Sequence, residues 1–204
     1  MTKRDFKKEL KHLYAPSKRE YSVVEVPPMN FLMVDGKGDP NNSQLFQNGL
    51  EVLYGVAYKI KFMLKSQGLD FVVPPSEGLW WMENMAEFSL ANKDRWLWTL
   101  MLMQPEAVTG EIVTAAREDL SGKKDLTELS SLRFERYEEG LAVQILYLGA
   151  YADEGPVIAK MHEFIHSQGY EFNGKHHEIY LSDPRRTPPE KLKTVIRQPV
   201  RVKK

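Results

Sequence analysis

A six-residue segment occurs twice in this chain. Ser66-Gln67-Gly68-Leu69-Asp70-Phe71 returns as Ser167-Gln168-Gly169-Tyr170-Glu171-Phe172, in a register that also aligns Lys59 with Lys160 and Glu77 with Glu178. Repetition on this scale points to two copies of one supersecondary unit. Two copies packed about a pseudo-twofold axis leave a seam, and ligand pockets are often built at such seams.

The 204 residues are 42% apolar and 27% charged, enough for a globular fold with a real core. Formal net charge is zero, yet the ends are basic: after Pro184 come Arg185, Arg186, Lys191, Lys193, Arg197, Arg201, Lys203 and Lys204 against Glu190 alone. These charges are scattered with little aromatic interleaving, so direct nucleic-acid binding is not expected. The absence of cysteine excludes disulfides, thiolate metal sites and thiol catalysis. The first residues lack the apolar run of a signal peptide. The longest apolar stretch, residues 96–103, is too short to span a bilayer. A soluble, cytoplasmic protein with no membrane partner is expected.

Periodicity and turn residues predict a basic helix over 3–13 and strands over 20–26 and 30–35. A long helix over 43–65 places Leu45, Leu50, Leu53, Val56, Ile60 and Leu64 near one face. Strands over 71–73, 78–82 and 96–103 and a linking helix over 109–120, stopped by Ser121-Gly122, complete the first half. The second half repeats the order: strands over 132–137 and 141–150, a helix over 154–168, and strands over 175–181 and 195–202. Thr187-Pro188-Pro189-Glu190 has the spacing of a capped short helix. The fold class is α+β: two pseudo-symmetric strand–helix–strand–strand modules, about 20–104 and 130–204, with antiparallel sheets, helices on one face and a ligand cleft between the modules. One domain, 1–204, is expected.

Alternation along the strand near Glu178 puts Ile179 and Leu181 on one face, under the helices, and His176, Glu178 and Tyr180 on the other, toward the seam. Applied to the first copy, the repeat register places Glu77, Leu79 and Trp81 on the matching face. A carboxylate beside aromatic rings suits a planar or cationic guest. A desolvated Glu178 could also serve as general base on water. The bland alternative is an exposed strand glutamate and two core tryptophans.

His162-Glu163-Phe164-Ile165-His166 fits the zinc-protease pattern His-Glu-x-x-His. The third ligand position of the extended pattern holds Phe172, and the repeat aligns both histidines with Lys61 and Lys65, as on a solvated helix flank. No metal and no cofactor are expected. Gly36-Lys37-Gly38 lacks the ending of a phosphate loop and reads as a turn.

Three blocks carry a wider likeness: Val26-Pro27-Pro28-Met29-Asn30-Phe31-Leu32-Met33-Val34-Asp35-Gly36, Pro74-Pro75-Ser76-Glu77-Gly78-Leu79-Trp80-Trp81, and His176-His177-Glu178-Ile179-Tyr180-Leu181-Ser182-Asp183-Pro184-Arg185-Arg186-Thr187. Over nearly its whole length the chain resembles the GyrI-like small-molecule-binding family, and most closely its stand-alone bacterial members. The resemblance implies the two-module fold and an aromatic cleft for amphipathic, often cationic compounds. It places the ligand-contacting glutamate at Glu178, beside Tyr180. Relatives include effector domains of multidrug-responsive regulators and hydrolases that open cyclopropanoid alkylating agents.

The expected site is therefore Trp81 and Tyr180 sandwiching a planar guest, Glu178 orienting its polar group, Glu77 assisting, and Tyr147 as a further wall. If the protein is an enzyme, it is a hydrolase with Glu178 as general base. The alternative is a protein–protein or inhibitor module without catalysis, which requires a protein partner.

Overall fold

The computed structural model describes residues 3–84, 90–121 and 127–204. Two short helices, α1 (Phe6–Glu9) and α2 (Lys11–Tyr14), open the chain where one was expected. Then follow β1 (Ser22–Val26), β2 (Met29–Lys37), α3 (Gln44–Ser66), β3 (Ser76–Trp81), β4 (Leu97–Gln104) and α4 (Gly110–Ser121). The second half contains β5 (Arg133–Tyr137), β6 (Gly140–Leu148), α5 (Gly155–Ser167), β7 (Tyr170–Phe172), β8 (His176–Tyr180) and β9 (Lys193–Val202). Residues 71–73 make an isolated bridge from Phe71 to Arg4 rather than a strand. The Thr187 segment forms a single 3-10 turn, Pro189–Lys191, without a side-chain cap. The expected stop at Gly122 lies outside the described residues.

The strands join one antiparallel sheet in the order β1-β6-β9-β8-β3-β4-β2-β5, with β7 paired to the end of β9. Read from either end, that order passes through equivalent strands of the two copies. Each copy also sends its first strand to the other: β1 pairs with β6 and β5 with β2, so that Ser22↔Gln144 matches Arg133↔Met33. The seam is itself a strand pair, β3 against β8.

Ser43 caps α3 by accepting a hydrogen bond from the Phe46 amide at 3.2 Å. Val52, Leu53, Val56, Ala57, Ile60 and Leu64 bury one side of α3, and Met161 and Ile165 do the same for α5. Gly68 and Gly169 follow the two helices with φ of 91° and 76°, left-handed values that favour glycine and stop a helix. Both long helices cover the same sheet face: Gly49 of α3 sits over Val34 and Leu100, and Met161 and Ile165 of α5 pack with Val143, Ile145 and Ile196. On the opposite face α2 places Leu13 and Tyr14 over Ala142, Ile179 and Val195.

This arrangement corrects one expectation. Ile179 and Leu181 pack beneath the N-terminal helices, while Glu178 and Tyr180 lie on the face covered by α3 and α5. Glu77 and Glu178 are also not equivalent. β3 begins ten residues after α3 ends, but β8 begins nine after α5 ends. A one-residue slip moves every strand side chain to the other face. The β3–β8 register pairs Gly78 with Glu178 and Trp80 with His176. The structural counterpart of Glu178 is therefore Gly78, and that of Tyr180 is Trp80.

Candidate functional site

Glu178 lies at the seam, on the face of α3 and α5. Both of its oxygens accept hydrogen bonds: Oε1 lies 3.1 Å from His176 Nε2, and Oε2 takes the Tyr180 hydroxyl at 2.9 Å. The Tyr180 oxygen in turn accepts from Trp80 Nε1 at 3.0 Å. His176, Glu178 and Tyr180 are alternate residues of β8, and Trp80 is the cross-strand neighbour of His176, so strand periodicity alone brings the four together. The Glu178 side chain keeps 15% exposure, so solvent reaches it while the rings exclude most water.

Aromatic rings extend from this chain of bonds. Tyr151, from the 3-10 turn before α5, meets Tyr180 edge-on at 5.6 Å. Phe46 of α3 stacks on Trp80 at 5.9 Å, and Trp96 meets Trp80 edge-on at 5.6 Å. Lys93 lies 5.6 Å above the Trp96 ring. Gly78 leaves the space these rings need, since a Cβ there would fall 2.8 Å from Trp80 Nε1 and 3.0 Å from the Tyr180 hydroxyl.

A second carboxyl, Glu154, precedes α5 and is 3% exposed. Burial and the Glu178 carboxylate push Glu154 up to about 9, so it is protonated at neutral pH. Burial and Glu178 likewise keep the Tyr180 hydroxyl well above its ordinary value, as a donor. Tyr151 is pushed up to about 12 by burial, with Glu154 and Glu178 adding to it.

The sandwich expected of Trp81 and Tyr180 does not form, because they lie on opposite faces of the sheet. Trp80 occupies the place expected of Trp81. The Trp81 ring is instead covered by the Lys175 ammonium at 3.3 Å. Glu77 is also on the far face, buried in a charge network. His177 bridges it to Glu139 (Nε2 to Glu77 2.9 Å, Nδ1 to Glu139 2.7 Å), and Glu139 accepts from Arg197 at 2.9 Å. Tyr14 donates to Glu77 at 3.0 Å, and Arg197 donates to the Leu13 carbonyl at 2.9 Å. The network pins the N-terminal helices to the sheet. Burial alone would lower His177, but Glu139 and Glu77 outweigh it and lift it to about 9. Burial alone would raise Glu139, but His177 and Arg197 hold it down to about 2.

Tyr147 faces the α5 side and donates to the Ala150 carbonyl at 3.1 Å. Glu154 raises its hydroxyl, after burial, which places Tyr147 near the second acid. His162 and His166 rest on the Phe172 ring, with centroids 4.6 and 5.1 Å apart. Among the described residues no group of three or more His, Asp or Glu could hold a metal ion. Two surface hollows lie away from the Glu178 cluster, one lined by Thr114, Arg117 and Leu129 and one of about 90 Å³ beside Phe6 and Phe71. The first has no aromatic lining, and in the second the Asp70 carboxylate beside Phe6 and Phe71 is already paired with Lys61.

The model of the GyrI-like small-molecule binding domain matches residues 19–201. The chain belongs to the GyrI-like family. A solved structure of a conserved protein from Listeria innocua is 45% identical, over 98% of this chain and all of that one, with a TM-score of 0.91. A hydrolase from Listeria innocua is 43% identical over the same shares, with a TM-score of 0.89. The C-terminal domain of EcmrR, 12% identical over 90% of this chain and 98% of its own, has a TM-score of 0.57 and shares the fold. A comparison with curated proteins found no match. As a GyrI-like chain, this is a small-molecule binding domain, and none of its described helices is long and apolar enough to cross a membrane.

Proposed function

We propose that this GyrI-like protein binds planar aromatic or cationic xenobiotics in the cytoplasm, on the α3–α5 face of the seam, and hydrolyses the reactive ones. The whole chain acts as one unit, because both modules contribute strands and rings to the cluster. One observation carries the reading: the Glu178 carboxylate is held by His176 and Tyr180 within the rings of Trp80, Tyr151 and Phe46. The ring faces supply stacking area and the carboxylate supplies negative charge at one point. Because Glu178 is anchored on both oxygens, little ordering is needed on binding.

Hydrolysis is supported by the kinship with hydrolases of Listeria innocua at 43% and 42% identity. In that reaction Glu178 accepts a proton from water as the water oxygen attacks an electrophilic ring carbon of a cyclopropanoid guest; the strained C–C bond breaks, and the carbon that takes its electron pair is protonated. Tyr180 and His176 position the carboxylate. The test is a thermal-shift screen of planar cationic and aromatic compounds on the wild type and Glu178→Ala, with products followed by mass spectrometry. Stabilisation lost in the variant is expected. No stabilisation by any compound would overturn the reading.

A further inference from the structure

The Glu178 cluster contains polar atoms that the protein leaves unsatisfied. Glu154 Oε1 and Thr194 Oγ1 are both buried and meet no hydrogen-bond partner. Thr194 comes close enough to the Glu154 carboxyl to favour its charged form as a hydrogen-bond donor does, yet Oγ1 and Oε1 meet neither each other nor any other atom in full hydrogen-bonding geometry. Thr194 is the β9 partner of Tyr180, so both orphans lie beside the Tyr180–Glu178 bond. Leaving a buried polar atom unpaired costs about 1–3 kcal/mol. Two such atoms at one place are the expected mark of a site whose partner is a guest.

Glu154 is faced from every side by groups of the cluster. Glu178 and Tyr180 approach from β8, Thr194 from β9, Tyr147 from β6, Tyr151 from its own turn, and Lys93 from the 3-10 segment Leu90–Arg95. Glu178 acts on Glu154 through its charge, and two carboxyls coupled in a dry setting resist ionising together without a compensating charge. Lys93 acts on Glu154 as a cation, and its ammonium lies over the ring of Trp96.

We propose that Glu154 is the second acid of the site, forming with Glu178 a carboxyl–carboxylate pair that holds one proton, which a planar cation bound against Trp80 and Tyr180 displaces. This rests on the cation-binding reading above. Without a guest the pair carries one negative charge. With a cation bound, the Glu154 proton leaves to solvent and both carboxylates face the guest. The site thereby favours a full positive charge over a neutral ring of the same shape, and its affinity is linked to pH.

Two measurements on the full chain test this. Infrared difference spectroscopy of the wild type against Glu154→Gln reads the protonated-carboxyl C=O band without any ligand. The band is expected at pH 7 in the wild type, absent in the variant, and lost as pH passes about 9. Calorimetry with ethidium, a planar quaternary cation with no proton of its own to exchange, is then run in buffers of different ionisation heat. The wild type should release close to one proton per ethidium and bind about tenfold tighter per pH unit toward 9. Glu154→Gln should bind with no release and a flat pH profile. A missing infrared band, or one that survives in Glu154→Gln, overturns the proton-sharing pair. Ethidium binding without proton release overturns the displacement. An intact band with no ethidium binding overturns the cation reading, and displacement with it, while the pair stands.

Discussion

Gly78 pairs with Glu178 across the seam of the two modules, and the missing side chain of one makes room for the hydrogen bonds of the other. The first copy thus supplies space and a tryptophan where the second supplies the acid and a tyrosine. The pseudo-twofold repeat is symmetric in backbone and asymmetric in chemistry, which gives one site rather than two.

Gly78→Ala should push Trp80 and Tyr180 apart, because the added Cβ would fall within 2.8 Å of Trp80 Nε1. A stability loss of about 1–3 kcal/mol is expected in chemical denaturation, with weakened ligand binding. Unchanged stability and binding would show that the rings do not depend on this space.

Trp80 and Trp81 are adjacent in sequence and on opposite faces of the sheet. Trp80→Phe removes the indole N–H that the Tyr180 oxygen accepts, and should weaken binding of a planar cation by about fivefold or more, as fits a lost hydrogen bond of roughly 1 kcal/mol. Trp81→Phe should leave binding unchanged, since its ring lies under Lys175. The reverse pattern in a fluorescence titration would move the site to the other face.

The distinction between these two tryptophans also shows what the sequence could tell. The repeat, both long helices, their glycine stops and the strand order within each copy were legible from periodicity and turn residues. Glu178 and Tyr180 stood out as an acid beside a ring. Their face did not, because it depends on the β3–β8 register and on one residue missing between α5 and β8, while the repeat signal around Gly68 and Gly169 stays in step up to that point. Glu154 was hidden for another reason. An acid before Gly155-Pro156 reads as an ordinary helix start, and only the packing of Tyr151 and Thr194 around it shows that it is buried.

The buried network on the far face should set the pH range of stability. His177 is raised from 6.5 to about 9, so its contribution is complete below about 6.5 and is lost as pH climbs through 9. Glu139 is lowered from 4.5 to about 2, so its contribution is complete above about 4.5 and is lost as pH falls toward 2. The network's share of the unfolding free energy measured in urea should therefore be flat between about 4.5 and 6.5 and fall on both sides, on top of a loss between about 4.5 and 9 from the raised Glu154 carboxyl. His177→Gln should make the alkaline limb shallower and leave the part due to Glu154. An alkaline limb unchanged in that variant would contradict the assignment.

Arg197→Met leaves Glu139 buried with one cation fewer and the Leu13 carbonyl without its donor. Removing one member of a buried ion network typically costs about 3–5 kcal/mol. The midpoint of denaturation should drop accordingly, and hydrogen exchange should rise first in α1 and α2. Loss confined to regions away from the N-terminal helices would show that the network does not anchor them.

The guest should bind at Glu178, on the face of α3 and α5. A crystal structure of the protein with a bound planar cation tests it most directly. The ring system is expected against Trp80, with its positive charge beside Glu178. A guest stacked instead on Trp81 under Lys175 would put the binding site on the opposite face of the sheet and rule out Glu178 as its anchor.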